Sequence, residues 1–144
     1  MKIRKATKKD WDRYYKIVVE KFEDKGDKVP PINDIKKEFD RTLSSKEDNL
    51  IFAEFNDVVI GYLHGKLKQN YWSSGGSIEY LFVSKKFRRR GIATKLINEF
   101  VSLMKKKNFV KVTLMVNLKN KNAEKLYKKL GFEITNYVMR KKLK

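Results

Sequence analysis

The chain has 144 residues, the length of one ordinary domain, of which 41% are hydrophobic, and its formal net charge is +18. It contains no cysteine and one histidine, which excludes disulfides, thiolate metal sites and a cysteine nucleophile. Because no apolar stretch approaches the roughly 18 residues of a membrane span and the N-terminus lacks the apolar core of a secretory signal, we predict one cytoplasmic domain over residues 1–144.

The first third of the chain predicts one strand and two helices. A short strand at 2–6 is followed by a capping box of Thr7 and Asp10. Apolar residues at helical spacing then predict a helix that ends before the polar segment at 23–31, where two prolines forbid its continuation. A second helix is predicted from about Asn33 to Leu43.

The middle of the chain has the residue types of strands. Two β-branched and aromatic runs at 49–55 and 58–67 are separated by an Asn-Asp pair, which predicts an antiparallel hairpin. A third strand is predicted at 77–83. Strict alternation would place its residues on two faces: Ile78, Tyr80 and Phe82 against Glu79, Leu81 and Val83.

From Gly91 the helical period returns. A buried helix face is predicted at 92–104, a strand at 109–116, a short amphipathic helix at 122–132 and a closing strand at 133–143. The predicted order is strand, two helices, three strands, helix, strand, helix, strand. This order indicates an α/β domain with a mixed sheet.

A basic segment, "KKFRRRGIATKL" at 85–96, lies between the third strand and the third helix. The free N–H groups of the helix's first turn point into this loop, and Gly91 allows close backbone approach, so the segment could hold a pyrophosphate. The spacings of the nucleoside-triphosphate P-loop and of the Gly-x-Gly-x-x-Gly fingerprint are both absent. Taken alone, the run fits a solvated basic loop equally well.

The segment "VSKKFRRRGIATKL" at 83–96 resembles motif A of the GCN5-related N-acetyltransferases, whose acetyl-CoA loop has the pattern Arg/Gln-x-x-Gly-x-Gly/Ala. Here Arg88, Gly91 and Ala93 fill that pattern. Further along, "NAEKLYKKLGF" at 122–132 looks like motif B of the same family. The two motifs occur in the family's order, and the resemblance covers essentially the whole chain. It implies the family's α/β (α+β) fold, a mixed and mostly antiparallel sheet flanked by helices.

The resemblance also implies where acetyl-CoA would bind as co-substrate. Backbone groups of Leu81, Phe82 and Val83 would hold the pantetheine arm and the acetyl carbonyl. Asn117 and Asn122 would meet the pantetheine side, and no metal is required. The pyrophosphate would lie on the loop and the first helical turn, formed by Arg88, Arg89, Arg90, Gly91, Ile92, Ala93 and Thr94.

Acetyl transfer needs a group that takes the amine proton and a donor for the departing thiolate. Glu79 is the candidate base, and its alternative interpretation is a solvated carboxylate at the lip of the sheet. Tyr127 occupies the motif-B position at which family members often place the acid, and its alternative is core packing. His64, in a strand, is more often structural than catalytic. Since no cysteine can carry the acetyl group, direct attack in a ternary complex is favoured.

The predicted function is therefore an N-acetyltransferase acting on a primary amine: a small molecule, a peptide N-terminus or a lysine. Two alternatives stay open, a basic nucleic-acid- or ribosome-associated binding module and a CoA-sensing protein without catalysis. Nucleic acid is the less favoured partner and no membrane partner is expected. The sequence leaves the oligomeric state open, and a homodimer is an option by analogy with the family, in which dimers are frequent. The net charge itself is either compositional or functional. Candidate surroundings of the acceptor are the loop residues Tyr71 and Trp72 and the acidic residues Asp24, Asp27, Asp34 and Glu38.

Overall fold

The computed structural model describes residues 1–69 and 74–144 and contains a five-stranded sheet flanked by helices. The strands, in spatial order, are β1 (Lys2–Lys5), β2 (Asp48–Phe55), β3 (Val58–Gln69), β4 (Ser74–Val83) and β5 (Val112–Leu114). The α-helices are α1 (Trp11–Asp24), α2 (Ile32–Ser44), α3 (Ile92–Lys106) and α4 (Lys121–Lys129). Pairing is antiparallel from β1 to β4 and parallel between β4 and β5. The predicted fold class, a mixed and mostly antiparallel sheet flanked by helices, is confirmed.

The sheet separates two apolar layers. Helices α1 and α2 cover one face, and α3 covers the other. Burying each large apolar side chain of these layers contributes about 1.5–3 kcal/mol, which holds the three helices against the sheet. The layer under α1 and α2 is centred on Tyr14, Ile17, Phe39, Phe52, Tyr62 and Phe82. The layer under α3 is centred on Ile51, Leu63, Ile78, Leu96, Ile97 and Phe100.

A tight turn and one glycine determine the local geometry in the middle of the sheet. The predicted hairpin between β2 and β3 is confirmed, and its turn residues Asn56 and Asp57 have φ of 50° and 62°, as a type I′ turn requires. At Gly65 a Cβ would collide with the ring of Phe100, so glycine allows α3 to lie close to β3.

In the part of the chain that the structure describes, no helix has the length and apolarity to cross a membrane.

The predicted capping box of Thr7 and Asp10 is confirmed at the short 3-10 turn Lys8–Asp10 that leads into α1, and it forms part of a buried ion pair. The carboxylate of Asp10 accepts a hydrogen bond from the Thr7 N–H at 2.8 Å and one from each terminal nitrogen of Arg4, also at 2.8 Å. Arg4 also donates to Glu54 of β2 at 2.7 Å. The hydrogen bonds from Arg4 outweigh burial and lower the pKa of Asp10 to about 2.

Asp10→Asn keeps the shape of this side chain and removes its charge, so we expect a loss of about 2 kcal/mol in the free energy of unfolding at pH 7. The folded-state pKa lies below the usual 3.8, so this stabilisation is complete above 3.8 and disappears as the pH falls toward 2. Urea unfolding from pH 2 to 7 measures it. Asp40→Asn, which breaks an exposed pair with Lys36, is the control and should change little. A wild-type advantage over Asp10→Asn that persists at pH 2 would contradict the assignment.

The closing strand predicted at 133–143 is wrong, because this segment has no strand pairing in the structure. Its apolar residues are exposed, with Tyr137 at 82% and Met139 at 93%. The strand predicted at 109–116 is also shorter and comprises Val112–Leu114. A strand needs a neighbour that takes up its backbone hydrogen bonds, and β4 is the one strand paired with β5 in the described ranges. Apolar composition alone therefore overestimated both strands.

Candidate active site

Strands β4 and β5 pair over three residues, and the pairing ends where β5 ends. The last pair is Ile78 with Leu114, and no strand of the described chain lies beside β4 beyond it on that side. The backbone of 79–83 therefore has one free edge, which can hydrogen-bond an extended ligand as a neighbouring strand would. Leu81, Phe82 and Val83, the predicted holders of the pantetheine arm, lie on this edge.

The N-terminus of α3 lies at the end of the loop that follows the free edge. Gly91 has φ of 76° and immediately precedes the helix. The first N–H groups of α3 have no partner within the helix and carry partial positive charge. Nothing lies within 4 Å of the position of a Cβ on Gly91, so the space beside this residue is open. This geometry suits an anion, and the neighbouring side chains that the sequence predicted for the pyrophosphate are Arg89, Arg90, Ile92, Ala93 and Thr94.

Arg88 is held by protein groups. Its Nε donates to the Val83 carbonyl oxygen at 2.9 Å, and its Nη2 donates to the Asp24 carboxylate at 2.8 Å. The guanidinium also lies 5.4 Å from the centre of the Phe82 ring. Arg88 therefore joins the end of α1 to the end of β4, and its contact with phosphate stays a prediction. Asp24, predicted near the acceptor, is engaged in this pair.

Glu20 forms a second link between α1 and the loop, and sequence reasoning missed it. Its carboxylate accepts hydrogen bonds from the Ser84 hydroxyl at 2.6 Å and from the Lys85 N–H at 3.2 Å. The two links fix the direction in which the chain leaves β4 and approaches α3. No pattern in α1 indicates which of its polar residues faces a loop so distant in sequence.

Glu79 is the extra residue of a β-bulge. His64 of β3 pairs with Tyr80, but Gly65 pairs with Ile78, so Glu79 has no partner. The predicted alternation is therefore wrong at this point: Ile78 packs in the α3 layer together with Leu81 and Val83. Glu79 is exposed and lies at the start of the free edge. A carboxylate in this place can accept a proton directly or through water.

Tyr127 of α4 packs at the edge of the α3 layer. Its ring contacts that of Phe132 edge to face, with 6.0 Å between centres. Burial raises the pKa of the Tyr127 hydroxyl, so the group is protonated at neutral pH, as a proton donor must be. Packing and proton donation, the two interpretations of this residue, are therefore compatible.

The predicted asparagines lie on the exposed side of the turn that leads into α4. The side chain of Asn117 accepts from the Lys119 N–H at 2.9 Å, which shapes the turn. The N-cap of α4 is Asn120, whose side chain accepts from the Ala123 N–H at 3.1 Å. Asn122 is exposed in the first turn of the helix. The roles of Asn117 and Asn122 toward pantetheine stay predictions.

A family model described as the acetyltransferase (GNAT) family matches residues 10–132. The chain belongs to this family. The resemblance drawn from the two motifs is therefore confirmed, and the match includes both of them.

Relatives agree with this membership. The chain is 31% identical over 112 residues to acetyltransferase ECA0875 of Pectobacterium atrosepticum, covering 78% of this chain and 77% of the relative. It is 34% identical over 97 residues to the uncharacterized N-acetyltransferase MJ1207 of Methanocaldococcus jannaschii, where the match spans 63% of this chain and 42% of the relative's length. The solved structure of aminoglycoside N-acetyltransferase AAC(6')-Iy in complex with CoA superposes with a TM-score of 0.79 at 20% identity, over 99% of each chain, which shows a shared fold.

Two remaining predictions lie apart from the GNAT motifs. His64 is buried, and its Nε2 lies 2.5 Å from Oδ1 of Asp48, a pairing that accounts for the residue structurally. Burial would raise the pKa of Asp48, but hydrogen bonds from His64 and Ser45 outweigh it, so that pKa is lowered. Tyr71 and Trp72, predicted to line the acceptor side, lie outside the described residues.

Proposed function

We propose that this chain transfers the acetyl group of acetyl-CoA to a primary amine by direct attack in a ternary complex. One observation carries the proposal: the free edge of β4 at Leu81–Val83 is followed, after the loop at 84–90, by the open N-terminus of α3 at Gly91. Adjacent backbone donors can thus hold an extended thioester arm and its pyrophosphate. Membership of an acetyltransferase family supports acetyl-CoA as the co-substrate.

The chain's own groups supply the remaining chemistry of the proposal. Acetyl-CoA, when bound, supplies the thioester. Glu79 accepts the proton that the acceptor amine must lose before its nitrogen bonds to the acetyl carbon. Backbone N–H groups of the free edge stabilise the negative charge that develops on the carbonyl oxygen. As the carbon–sulfur bond breaks, the Tyr127 hydroxyl gives its proton to the sulfur.

The acceptor class can be found by incubating the chain with isotope-labelled acetyl-CoA and an extract of its own cells, followed by mass spectrometry. Label on a defined small amine, peptide N-terminus or lysine supports the transferase and identifies its acceptor. If acetyl-CoA binds but no label moves, the proposed roles of Glu79 and Tyr127 fail and the CoA-sensing alternative is favoured.

Glu79→Gln should lower kcat about 100-fold, because the amide cannot accept the amine proton. The loss should diminish as the pH rises, since more of the acceptor amine is then neutral.

Tyr127→Phe keeps the contact with Phe132 and should lower kcat about tenfold without loss of stability. Steady-state kinetics measures both, and Glu99→Gln, an exposed carboxylate on α3, is the control. Wild-type kcat in both variants would contradict the assigned roles.

A further inference from the structure

Lys21 of α1 is buried among aromatic rings. Its Nζ lies 4.3 Å from the centre of the Tyr80 ring in β4, 4.9 Å from that of Phe22 and 5.7 Å from that of Tyr62. The residue is 8% exposed. Lysine is almost never this buried without a partner, so its presence here calls for a reason.

Lys21 has no hydrogen bond or salt bridge within residues 1–69 and 74–144. Two acids of the same helix are engaged elsewhere, Glu20 by the Ser84 hydroxyl and Asp24 by Arg88. No buried side-chain nitrogen or oxygen in these ranges is both sealed from solvent and unpartnered. Because the Nζ of Lys21 is unpartnered, it must be in contact with solvent. A small ligand can approach an unneutralised positive charge there.

The position of Lys21 relates it to the acceptor. Leu81 and Val83 face the α3 layer, whereas Phe82 packs in the α1 layer and Tyr80 lies against Lys21. A co-substrate held by the free edge of β4 and the N-terminus of α3 leaves the α1 side of that edge for the acceptor. Lys21 lies on this side, against Tyr80, which directly follows Glu79 in the chain.

We infer that Lys21 binds an anionic group of the acceptor, which is then a small amine carrying a carboxylate or phosphate on the same molecule. The inference rests on the proposed function and names its substrate class. Glu79 meets the ammonium end of such a molecule, and Lys21 meets its anionic end. A polyamine or aminoglycoside would instead bring further positive charge against Lys21.

The acidic residues that could offset such a polycation are partly engaged. Asp24 binds Arg88, and Glu38 binds Arg41 at 2.7 Å. Burial, and secondarily Lys25, lowers the pKa of Lys21 to about 8. The amine is therefore still mostly protonated at neutral pH, and an anion bound beside it would favour the charged form further.

The first test measures binding by calorimetry to the full chain in the presence of CoA. The probes are two acetylated products and their neutral counterparts: 3-acetamidopropanoate with 3-acetamidopropanamide, and N-acetyl-phosphoethanolamine with N-acetylethanolamine. We expect an anionic probe to bind about tenfold more tightly than its neutral counterpart at pH 7. Whichever anion shows this preference, carboxylate or phosphate, identifies the group that Lys21 recognises.

The preference should disappear in Lys21→Met and persist in Lys21→Arg, which retains the charge. Lys16→Met, an exposed lysine on the same helix, is the matched control and should retain it as well. The inference is overturned if no anionic probe binds more tightly than its neutral counterpart, or if the preference survives in Lys21→Met.

The second test measures acetyl transfer to 3-aminopropanoate, phosphoethanolamine, 3-aminopropanamide and spermidine. A higher kcat/KM for an anionic amine, reduced about tenfold in Lys21→Met, supports the inference. Preferred acetylation of spermidine overturns it and leaves the proposed function intact. Conversely, if anionic probes bind through Lys21 but acetyl moves to no amine, the proposed function fails and the anion site remains.

Discussion

Gly91→Glu is expected to weaken acetyl-CoA binding about a thousandfold while the chain remains folded. The left-handed backbone at Gly91, with φ of 76°, costs a non-glycine residue about 1–2 kcal/mol. The new carboxylate would also stand at the N-terminus of α3, where the negatively charged pyrophosphate is proposed to bind. Because nothing lies within 4 Å of the Cβ position, the side chain fits without collision. Calorimetric titration with acetyl-CoA measures the affinity, and circular dichroism checks the fold.

Two companion variants separate strain from charge. Gly26→Glu introduces the same charge at a residue with φ of 72° and equally open surroundings, so acetyl-CoA affinity should change less than about twofold. Gly91→Ala introduces the backbone strain without the charge and should weaken acetyl-CoA binding about tenfold. If Gly91→Glu binds acetyl-CoA as tightly as the wild type, the assignment of the pyrophosphate site to this helix N-terminus is wrong. Binding of polyanions that weakens steeply with salt, with no saturable acetyl-CoA site, would favour the nucleic-acid alternative.

Local patterns predicted those parts of the molecule that depend on neighbouring residues. The capping box of Thr7 and Asp10 needs one turn of chain, and the Asn56-Asp57 turn needs two residues, so both follow from sequence. The Arg88-to-Ala93 pattern identified the loop before α3 because its glycine and its helix start are consecutive in the chain. These elements determine the position of the candidate site.

Features that depend on a distant partner could not be predicted in the same way. The bulge at Glu79 arises from the register between β4 and β3, and residues 77–83 alone do not encode that register. The closing strand failed for a related reason, because pairing requires a neighbour and not only apolar residues. The burial of Lys21 was not predicted, although the residue lies at helical spacing from Tyr14 and Val18, because a lysine is ordinarily assigned to the exposed face.

Lys21→Met is expected to raise the free energy of unfolding by up to about 3 kcal/mol at neutral pH. Folding lowers the pKa of Lys21 from 10.5 to about 8, so the folded chain bears a cost for keeping this amine protonated. Below pH 8 Lys21 is protonated in both the folded and the unfolded chain, and the full cost applies. As the pH rises from 8 to 10.5 the folded chain loses its proton first, and the cost disappears. Methionine removes the charge and keeps a long apolar side chain.

Urea unfolding of the wild type and Lys21→Met between pH 6 and 10 measures this effect. The advantage of the variant should be largest at pH 6 and shrink toward pH 10, whereas Lys16→Met should show no such trend. A variant less stable than the wild type at pH 7 would mean that contacts with the rings of Phe22, Tyr62 and Tyr80 outweigh burial. A structural lysine would then explain the residue. A variant that is more stable but no longer prefers anionic acceptors would show that Lys21 serves binding at the expense of folding.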